Sequence, residues 1–240
     1  MSLALSQVDV WRANLDLPPD RIESLSQILS SDERARSSRF RYDLDRDRFV
    51  VSHAALRILL ARYLRTRPSA IEFSCNEFGK PGLSGNSGRE LQFNLSHSGT
   101  LALFAFARAQ VGVDIERIRP EFATEQIAER FFSPDEVRSL RALPTNLQAV
   151  GFFNCWTRKE AYIKAWGQGL SMPLRDFTVS LRPGDPAALL SHANQVEISE
   201  WSLRELPAPE PYVAAMAVRL KEPMVNYRQV SLSELQLSHS

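Results

Sequence analysis

Residues 111–116 read Val-Gly-Val-Asp-Ile-Glu, and this stretch decides the fold class that we assign to the chain. Apolar and polar residues alternate with the period of two that is typical of a β-strand. Asp114 and Glu116 are therefore expected side by side on one face of a sheet. The short connection at residues 96–99, between two earlier strands, predicts a hairpin, so at least part of the sheet is expected to be antiparallel in an α+β protein.

Residues 156–164 read Trp-Thr-Arg-Lys-Glu-Ala-Tyr-Ile-Lys and predict a helix. Apolar residues recur at spacings of three and four along residues 153–163, and Glu160 lies inside that stripe. A buried carboxylate is costly unless it is paired, hydrogen-bonded or bound to a metal. Glu160 and Lys164 also have the spacing of an ordinary helix ion pair. Together with Lys159 and the two strand carboxylates, they favour a hard-cation site beside an anion site, as Mg²⁺–phosphate requires.

The composition is that of an ordinary enzyme. The chain has 240 residues, of which 44% are hydrophobic and 24% charged, enough to bury a sizeable core. The formal net charge of +1 argues against a nucleic-acid-binding protein, although arginines concentrate in residues 34–67. Cys75 and Cys155 are too few for a disulfide framework. We recognise no secretion signal and no membrane span, and therefore expect a cytoplasmic protein with no membrane partner.

The remaining patterns predict helices followed by strands, twice. In the first half we expect a strand at 8–15, helices at 21–29, from 30 and through 49–64, and strands at 71–76, 91–95, 100–107 and 110–116. In the second half we expect helices at 124–132, from 133 and at 146–166, and strands at 177–181, 196–205 and 213–220. Capping boxes at 30–33 and 133–136 are expected to begin two of the helices, and Gly167 and Gly169 to end the long one. Residues 221–240 carry no clear pattern. The repeated order predicts an α+β protein of two similar halves, 1–116 and 117–240, related by pseudo-twofold symmetry.

Polar residues collect in the connections between these elements. Lys80 lies in a Gly-Lys-Pro-Gly turn, where it could meet a phosphate or simply be solvated. Ser96 and His97 lie in the predicted hairpin turn, where they could donate to phosphate oxygens or form an ordinary turn with a surface histidine. Arg36 and Arg48 flank the start of the long basic helix. No nucleophile elbow of a serine hydrolase is present in the sequence.

Six motifs in fixed order resemble those of the Sfp-type 4′-phosphopantetheinyl transferases. They are G-K-P at 79–81, F-N-x-S-H-S at 93–98, G-V-D-I-E at 112–116, F-F-S-x-x-E at 131–136, W-x-x-K-E-A-x-x-K at 156–164 and G-x-G-L-S at 167–171. The resemblance covers residues 31–181. The length is similar to that of the two-halved branch of the family, which implies a monomer with its site in the cleft between the halves.

The resemblance implies transfer of the 4′-phosphopantetheine arm of coenzyme A to a serine of an acyl, polyketide or peptidyl carrier protein. Asp114, Glu116 and Glu160 would hold Mg²⁺. The coenzyme-binding positions would be Arg36, Arg48, Lys80, Pro81, Ser96, His97, Lys159 and Lys164. Within that set, Ser96 and His97 would contact phosphates, Lys80 would lie near the adenosine and Lys164 at the pyrophosphate. Several relatives carry a lysine where this chain has Glu33.

A serine hydroxyl needs a base to act as a nucleophile at neutral pH. We expect Glu160 and Lys164 to be the catalytic residues, with Glu160 as the base, directly or through a water. We further expect Lys159 and Lys164 to keep Glu160 ionised.

Carrier proteins of this system are generally acidic, so we expect a local docking patch on the second half. The patch would consist of Phe122, Phe131 and Phe132 with Arg130, Arg138 and Arg141. The phenylalanines could instead pack between the halves.

Two other classes fit parts of the pattern. The chain could be another Mg²⁺-dependent phosphate enzyme, such as a nucleotidyl transferase or a phosphohydrolase, that acts without a carrier protein. It could also be a non-catalytic protein that binds carrier proteins, although the intact carboxylate trio argues against this.

Overall fold

Two β-sheets form the centre of the protein, and each is covered by one helix of 22 residues. The computed structural model describes residue 1 and residues 3–85, 90–193 and 197–232. The beginning of the strand expected at 196–205 and the last eight residues of the unpatterned segment lie outside the described residues. Within the described part of the chain, we find no helix with the length and apolar character needed to cross a membrane.

The first sheet has the strand order β11-β1-β5-β4. Its strands are β1 (Gln7–Asn14), β4 (Gln92–Ser98), β5 (Leu101–Ala107) and β11 (Met224–Val230). β11 runs parallel to β1, and the other pairs are antiparallel. The helices of this half are α1 (Pro19–Ser26), α2 (Ser31–Ser37) and α3 (Asp43–Leu64). A small hairpin of β2 (Phe73–Cys75) and β3 (Pro81–Leu83) follows them.

The second sheet has the antiparallel order β6-β10-β9. Its strands are β6 (Val111–Arg117), β9 (Ser202–Glu205) and β10 (Tyr212–Val218). The helices are α4 (Glu125–Phe131), α5 (Pro134–Arg141) and α6 (Thr145–Trp166). A hairpin of β7 (Phe177–Val179) and β8 (Leu189–His192) lies beside α6. Short 3₁₀ turns occur at Pro68–Ala70, Pro120–Phe122, Gly169–Ser171, Leu174–Asp176 and Ile198–Glu200.

The helix ends follow local chemistry. Ser30 and Glu33 form a capping box at the start of α2, and Ser133 and Glu136 form another at the start of α5. In each box the serine oxygen accepts from the third helical N–H and the glutamate accepts from the serine N–H. Gly167 ends α6 with a φ of 86°, in the left-handed region that favours glycine. The sequence predictions of both boxes and of this helix end are confirmed.

Three apolar layers hold the elements together. One lies between α3 and the first sheet, and another packs α6 against the second sheet and the β7–β8 hairpin. The third joins the two sheets to each other and contains buried residues of β1, β5, β6 and β10. The site therefore rests on a frame in which each sheet is buried on both faces.

Polar side chains of β4 join the two sheets at the edge of β6. Three alternate residues of β4 each accept a hydrogen bond from a backbone N–H of β6. The acceptors are Asn94 for Val113 at 2.9 Å, Ser96 for Ile115 at 3.4 Å and Ser98 for Arg117 at 3.1 Å. Because buried N–H groups must find partners, these side chains take the place of a neighbouring strand. They fix the register of β4 against β6.

The predicted α+β class is confirmed, and each half carries a long helix against a sheet, mixed in the first half and antiparallel in the second. The pseudo-twofold axis stays a prediction. Two local expectations are corrected. Ser96 and His97 lie in strand β4 rather than in the hairpin turn, which is formed at residues 99–100. The unpatterned segment contains β11. The division after Glu116 stays a prediction; β6, which ends there, pairs with β10, and β11 pairs with β1.

Candidate active site

Gly112 brings α6 unusually close to β6. A Cβ atom on this residue would lie 2.2 Å from the carbonyl oxygen of Ala161 and 2.4 Å from the amide nitrogen of Ala165. Real Cβ atoms do not approach backbone so closely, so only glycine permits this contact. The close approach places Glu160 and Lys164 of the helix over the carboxylate face of β6.

Asp114 is a buried carboxylate with one satisfied and one unsatisfied oxygen. Its Oδ1 accepts from Ser96 Oγ at 2.8 Å and from Lys164 Nζ at 2.6 Å. Its Oδ2 is buried and has no hydrogen-bond partner among the described residues. Glu116, two residues along the same face, accepts from Ser98 Oγ at 2.7 Å. The polar residues of β4 thus orient both strand carboxylates as well as bonding the strand's backbone.

The charges of this cluster are strongly coupled. Burial, together with the negative charges of Asp114 and Glu116, raises the pKa of Glu160 to about 7, although Lys164 opposes the shift. Burial and Asp114 likewise raise the pKa of Glu116. Burial disfavours the charge of Lys164, but the surrounding carboxylates outweigh it and raise its pKa. The expectation that lysines keep Glu160 fully ionised is therefore wrong, because burial beside two other carboxylates dominates.

The donor set of the cluster fits a hard cation. Three mutually repelling carboxylates and the unsatisfied Oδ2 of Asp114 are oxygen ligands of the kind that Mg²⁺ prefers. Within the described ranges no three acidic, histidine or cysteine side chains already converge in metal-binding geometry. Binding would therefore require the carboxylates to move closer together.

A cavity of about 630 Å³ opens beside this cluster. Its walls come from α2 and α3, the β2–β3 hairpin, β4 and the end of α6. Four expected coenzyme-binding residues line it, namely Arg36, Lys80, Pro81 and Lys164, and Glu160 lines it as well. Asn94, His53 and Glu33 also line it and were not singled out as site residues from the sequence. A cavity of this volume matches sites for small molecules and cofactors.

Lys80 fastens the two halves together rather than pointing a free ammonium group into the cavity. Its Nζ donates to the carbonyl of Ala165 at 3.1 Å and to that of Val111 at 3.3 Å. Burial lowers the pKa of Lys80 to about 8. Nearby, Asn76 Nδ2 donates to the carbonyl of Gly167 at 2.7 Å. The turn that carries Lys80 therefore caps the carboxyl end of α6, where helix carbonyls lack internal partners.

Three of the other expected coenzyme-binding residues, Ser96, His97 and Arg48, interact with polar or charged side chains around them. Ser96 is engaged with Asp114 and Lys164, and the pKa of His97 is lowered by desolvation and then by the positive charges of His53 and Lys164. Arg48 forms an ion pair with Asp16 at 3.3 Å.

The expectation that Lys159 binds the coenzyme is wrong, because this residue lies in the core of the second half. Its side chain has no exposed surface and contacts Glu136 at 2.8 Å. It also donates to the carbonyls of Leu174 at 2.7 Å and Phe177 at 2.5 Å. Glu136 is satisfied in turn by the N–H groups of Ser133 and Val179. The F-F-S-x-x-E and W-x-x-K-E motifs thus meet in a buried network that fixes α5 to α6, and Lys159 cannot reach a ligand in the cavity.

The expected docking patch is less positive than the sequence suggests. Arg141 contacts Glu125 and Glu129 at 2.5 Å each, and Arg138 is paired with Asp135. These exposed acids offset both arginines.

The aromatic residues of this patch differ in exposure. Phe132 is fully buried, and Phe131 packs edge-on against Trp156, with Arg130 over its ring. Phe122 is 47% exposed, and Arg119 lies 4.2 Å from its ring centre. Phe132 is therefore excluded from a docking surface, whereas Phe122 remains available.

Comparison with known proteins gives one consistent result. The protein-family model described as the 4′-phosphopantetheinyl transferase superfamily matches residues 110–217. A second model, described as 4′-phosphopantetheinyl transferase, N-terminal, matches residues 18–109. The two matches meet next to the first residue of β6.

Curated relatives cover most of the chain. The 4′-phosphopantetheinyl transferase HetI of Nostoc sp. is 40% identical over 221 residues, covering 91% of this chain and 90% of the relative. The 4′-phosphopantetheinyl transferase Sfp of Bacillus subtilis is 34% identical over 165 residues, covering 69% and 72%. Among solved structures, a holo-(acyl-carrier-protein) synthase from Bacillus anthracis is 20% identical with a TM-score of 0.38, covering 46% of this chain and 94% of that one.

Proposed function

Because this chain belongs to the 4′-phosphopantetheinyl transferase superfamily and is a transferase of that kind, we propose that it modifies carrier proteins in a Mg²⁺-dependent reaction. In this reaction the serine hydroxyl oxygen of an apo carrier protein attacks the pantetheine-side phosphorus of coenzyme A. The bond to the second phosphate breaks, and adenosine 3′,5′-bisphosphate leaves. The protein would act as a monomer.

The observation that carries this proposal is the position of the carboxylate cluster at the wall of the cavity. Glu160 and Lys164 line the cavity, while Asp114 lies beneath them with one oxygen unsatisfied. A long substrate could therefore place its adenosine along the first half and its pyrophosphate at the cluster. This supports coenzyme A as the substrate.

Asp114, Glu116 and Glu160 are the residues that would hold Mg²⁺. The ion would supply neutralisation of charge on the phosphate oxygens. Ser96 and Ser98 would keep the two strand carboxylates oriented, since partners in the outer shell fix the geometry of ligands.

Glu160 is the proposed base for the serine proton. In the metal-free site the pKa of Glu160 is raised to about 7, and bound Mg²⁺ would lower that pKa and favour the carboxylate form that accepts a proton. Lys164 would donate to the phosphate oxygens once its contact with Asp114 is relaxed. Glu160 would thus lie at the attacking serine oxygen and Lys164 at the attacked phosphate.

Carrier docking is proposed at Phe122 and Arg119, where an exposed ring lies under a guanidinium group close to Glu116. This location would bring the acceptor serine near the cluster. Arg130, Arg138 and Arg141 would contribute at the edge of that surface.

The test incubates the protein with coenzyme A, Mg²⁺ and an apo carrier protein and measures the mass of the carrier. The expected result is a covalent gain of one phosphopantetheine group, abolished by Asp114→Ala. A matched control is Asp135→Ala, which removes an exposed carboxylate of the second half. Hydrolysis of coenzyme A without carrier modification would instead indicate a phosphohydrolase, and carrier binding without reaction would indicate a scaffold.

A further inference from the structure

Glu33 forms a second charged arrangement in the cavity wall, separate from the carboxylate cluster. Its Oε1 lies 3.1 Å from Nδ1 of His53, and its Oε2 accepts from Arg57 Nε at 2.6 Å and from the Ser30 N–H at 2.9 Å. Burial raises its pKa, but these hydrogen bonds outweigh burial and lower the pKa to about 2. Glu33 is therefore an anion fixed between two basic side chains.

Arg57 is committed to the fold. Its side chain is 2% exposed, and its Nη1 donates to the carbonyls of Pro68 at 3.1 Å and Ile71 at 2.9 Å. The guanidinium group also lies over the Phe73 ring. Arg57 satisfies Glu33 from the core side and is not available to a ligand.

His53 faces the other way. It lines the cavity, its side chain is 22% exposed, and its ring stacks on Phe49 at 4.0 Å. Nδ1 is engaged by Glu33, while Nε2, on the opposite edge of the ring, has no hydrogen-bond partner in the described part of the chain. Arg36 lies over the same Phe49 ring, 5.1 Å from its centre, and lines the same cavity. A carboxylate at Nδ1 fixes the orientation of the ring, and an anion bound at Nε2 would place the imidazole between two acceptors, so that both ring nitrogens would donate.

We propose that His53, positioned by Glu33, is a further binding residue of the cavity and donates to the 3′-phosphate of coenzyme A together with Arg36. The proposal rests on the proposed function, because it assigns one group of that substrate. The pyrophosphate is assigned to the cluster at Glu160 and Lys164, which leaves the phosphomonoester for the wall that His53 and Arg36 share. Glu33 thus serves anion binding although it is itself an anion, because it acts through the histidine.

The test measures binding of coenzyme A and dephospho-coenzyme A by calorimetry. His53→Asn keeps an amide near the Nδ1 position and removes the Nε2 donor. It is expected to weaken binding of coenzyme A by about 10-fold, the scale of a lost charge-assisted hydrogen bond, and to leave the affinity for dephospho-coenzyme A unchanged. Arg39→Gln removes an exposed charge from the same region and is the control, with less than about 2-fold change for either ligand.

Glu33→Gln tests the positioning role through the sign of its effect. Glutamine retains the capping box, so α2 is preserved. If Glu33 acts through His53, this variant weakens binding of coenzyme A more than binding of dephospho-coenzyme A. If Glu33 only adds negative charge to the cavity wall, removing that charge strengthens binding of coenzyme A, and the positioning role is overturned.

The outcomes separate the two levels of inference. Failure of the unaltered protein to bind either ligand overturns the proposed function. The role of His53 alone is overturned if His53→Asn transfers normally and its affinities for coenzyme A and dephospho-coenzyme A fall equally or not at all. Should Glu33→Gln lose its fold because Arg57 is left unpaired, His53→Asn, whose melting curve is measured alongside, decides the question.

Discussion

Replacing Glu160 by glutamine should stabilise the protein at alkaline pH while abolishing its activity. The pKa of Glu160 is raised from an ordinary value of 4.5 to about 7, so the folded state holds a proton that the unfolded chain releases. Between those two pH values the folded state binds more protons, and its stability falls as pH rises. With 1.36 kcal/mol for each pKa unit, the loss above pH 7 is about 3 kcal/mol.

Urea denaturation of the metal-free protein at pH 5 and pH 8 measures this loss. Glu160→Gln cannot lose the proton, so its free energy of unfolding should exceed that of the unaltered protein by up to about 3 kcal/mol at pH 8 and by much less at pH 5. Glu121→Gln, on an exposed carboxylate, is the control and should change stability by less than about 0.5 kcal/mol at either pH. Equal effects of Glu160→Gln at the two pH values would refute the reasoning.

Three further outcomes follow from the geometry. Ser98→Ala should raise the Mg²⁺ concentration for half-maximal transfer by about 10-fold, with rescue by Ser98→Thr, because its hydroxyl orients Glu116; an unchanged Mg²⁺ dependence would contradict this role. Lys159→Met should lower the free energy of unfolding in urea by about 3–5 kcal/mol, whereas Arg138→Met, in an exposed pair, should cost less than about 1 kcal/mol. Phe122→Ala should raise the KM for the carrier protein with no change in coenzyme A affinity, and a normal carrier KM would place docking elsewhere.

The elements that the sequence predicts well are those with local signals. The capping boxes at Ser30 and Ser133, the glycine stop of α6 and the alternation of β6 all depend on neighbouring residues, and the structure contains each of them. β11 was missed because it is an edge strand whose residues are mostly exposed and do not alternate regularly between apolar and polar. Its partner β1 lies more than 200 residues earlier, and no local signal reports that pairing.

Side-chain roles were harder to predict where burial decides them. α6 is buried around most of its surface, so its sequence does not distinguish Lys159, which faces the core, from Lys164, which faces the cavity. The raised pKa of Glu160 likewise depends on packing against β6. One usable signal was overlooked: Asn94, Ser96 and Ser98 alternate with period two, which is the pattern of a strand face and not of a turn.

The parallel pairing of β11 with β1 has a consequence for biosynthesis. Chains emerge from the ribosome amino end first, and early segments usually begin to fold before later ones appear. Here the first sheet cannot be completed until the segment around residue 230 has been translated, and until then β1 presents a bare hydrogen-bonding edge. The nascent chain therefore carries an open sheet edge until β11 has emerged, and a chaperone that shields β1 would act in that interval.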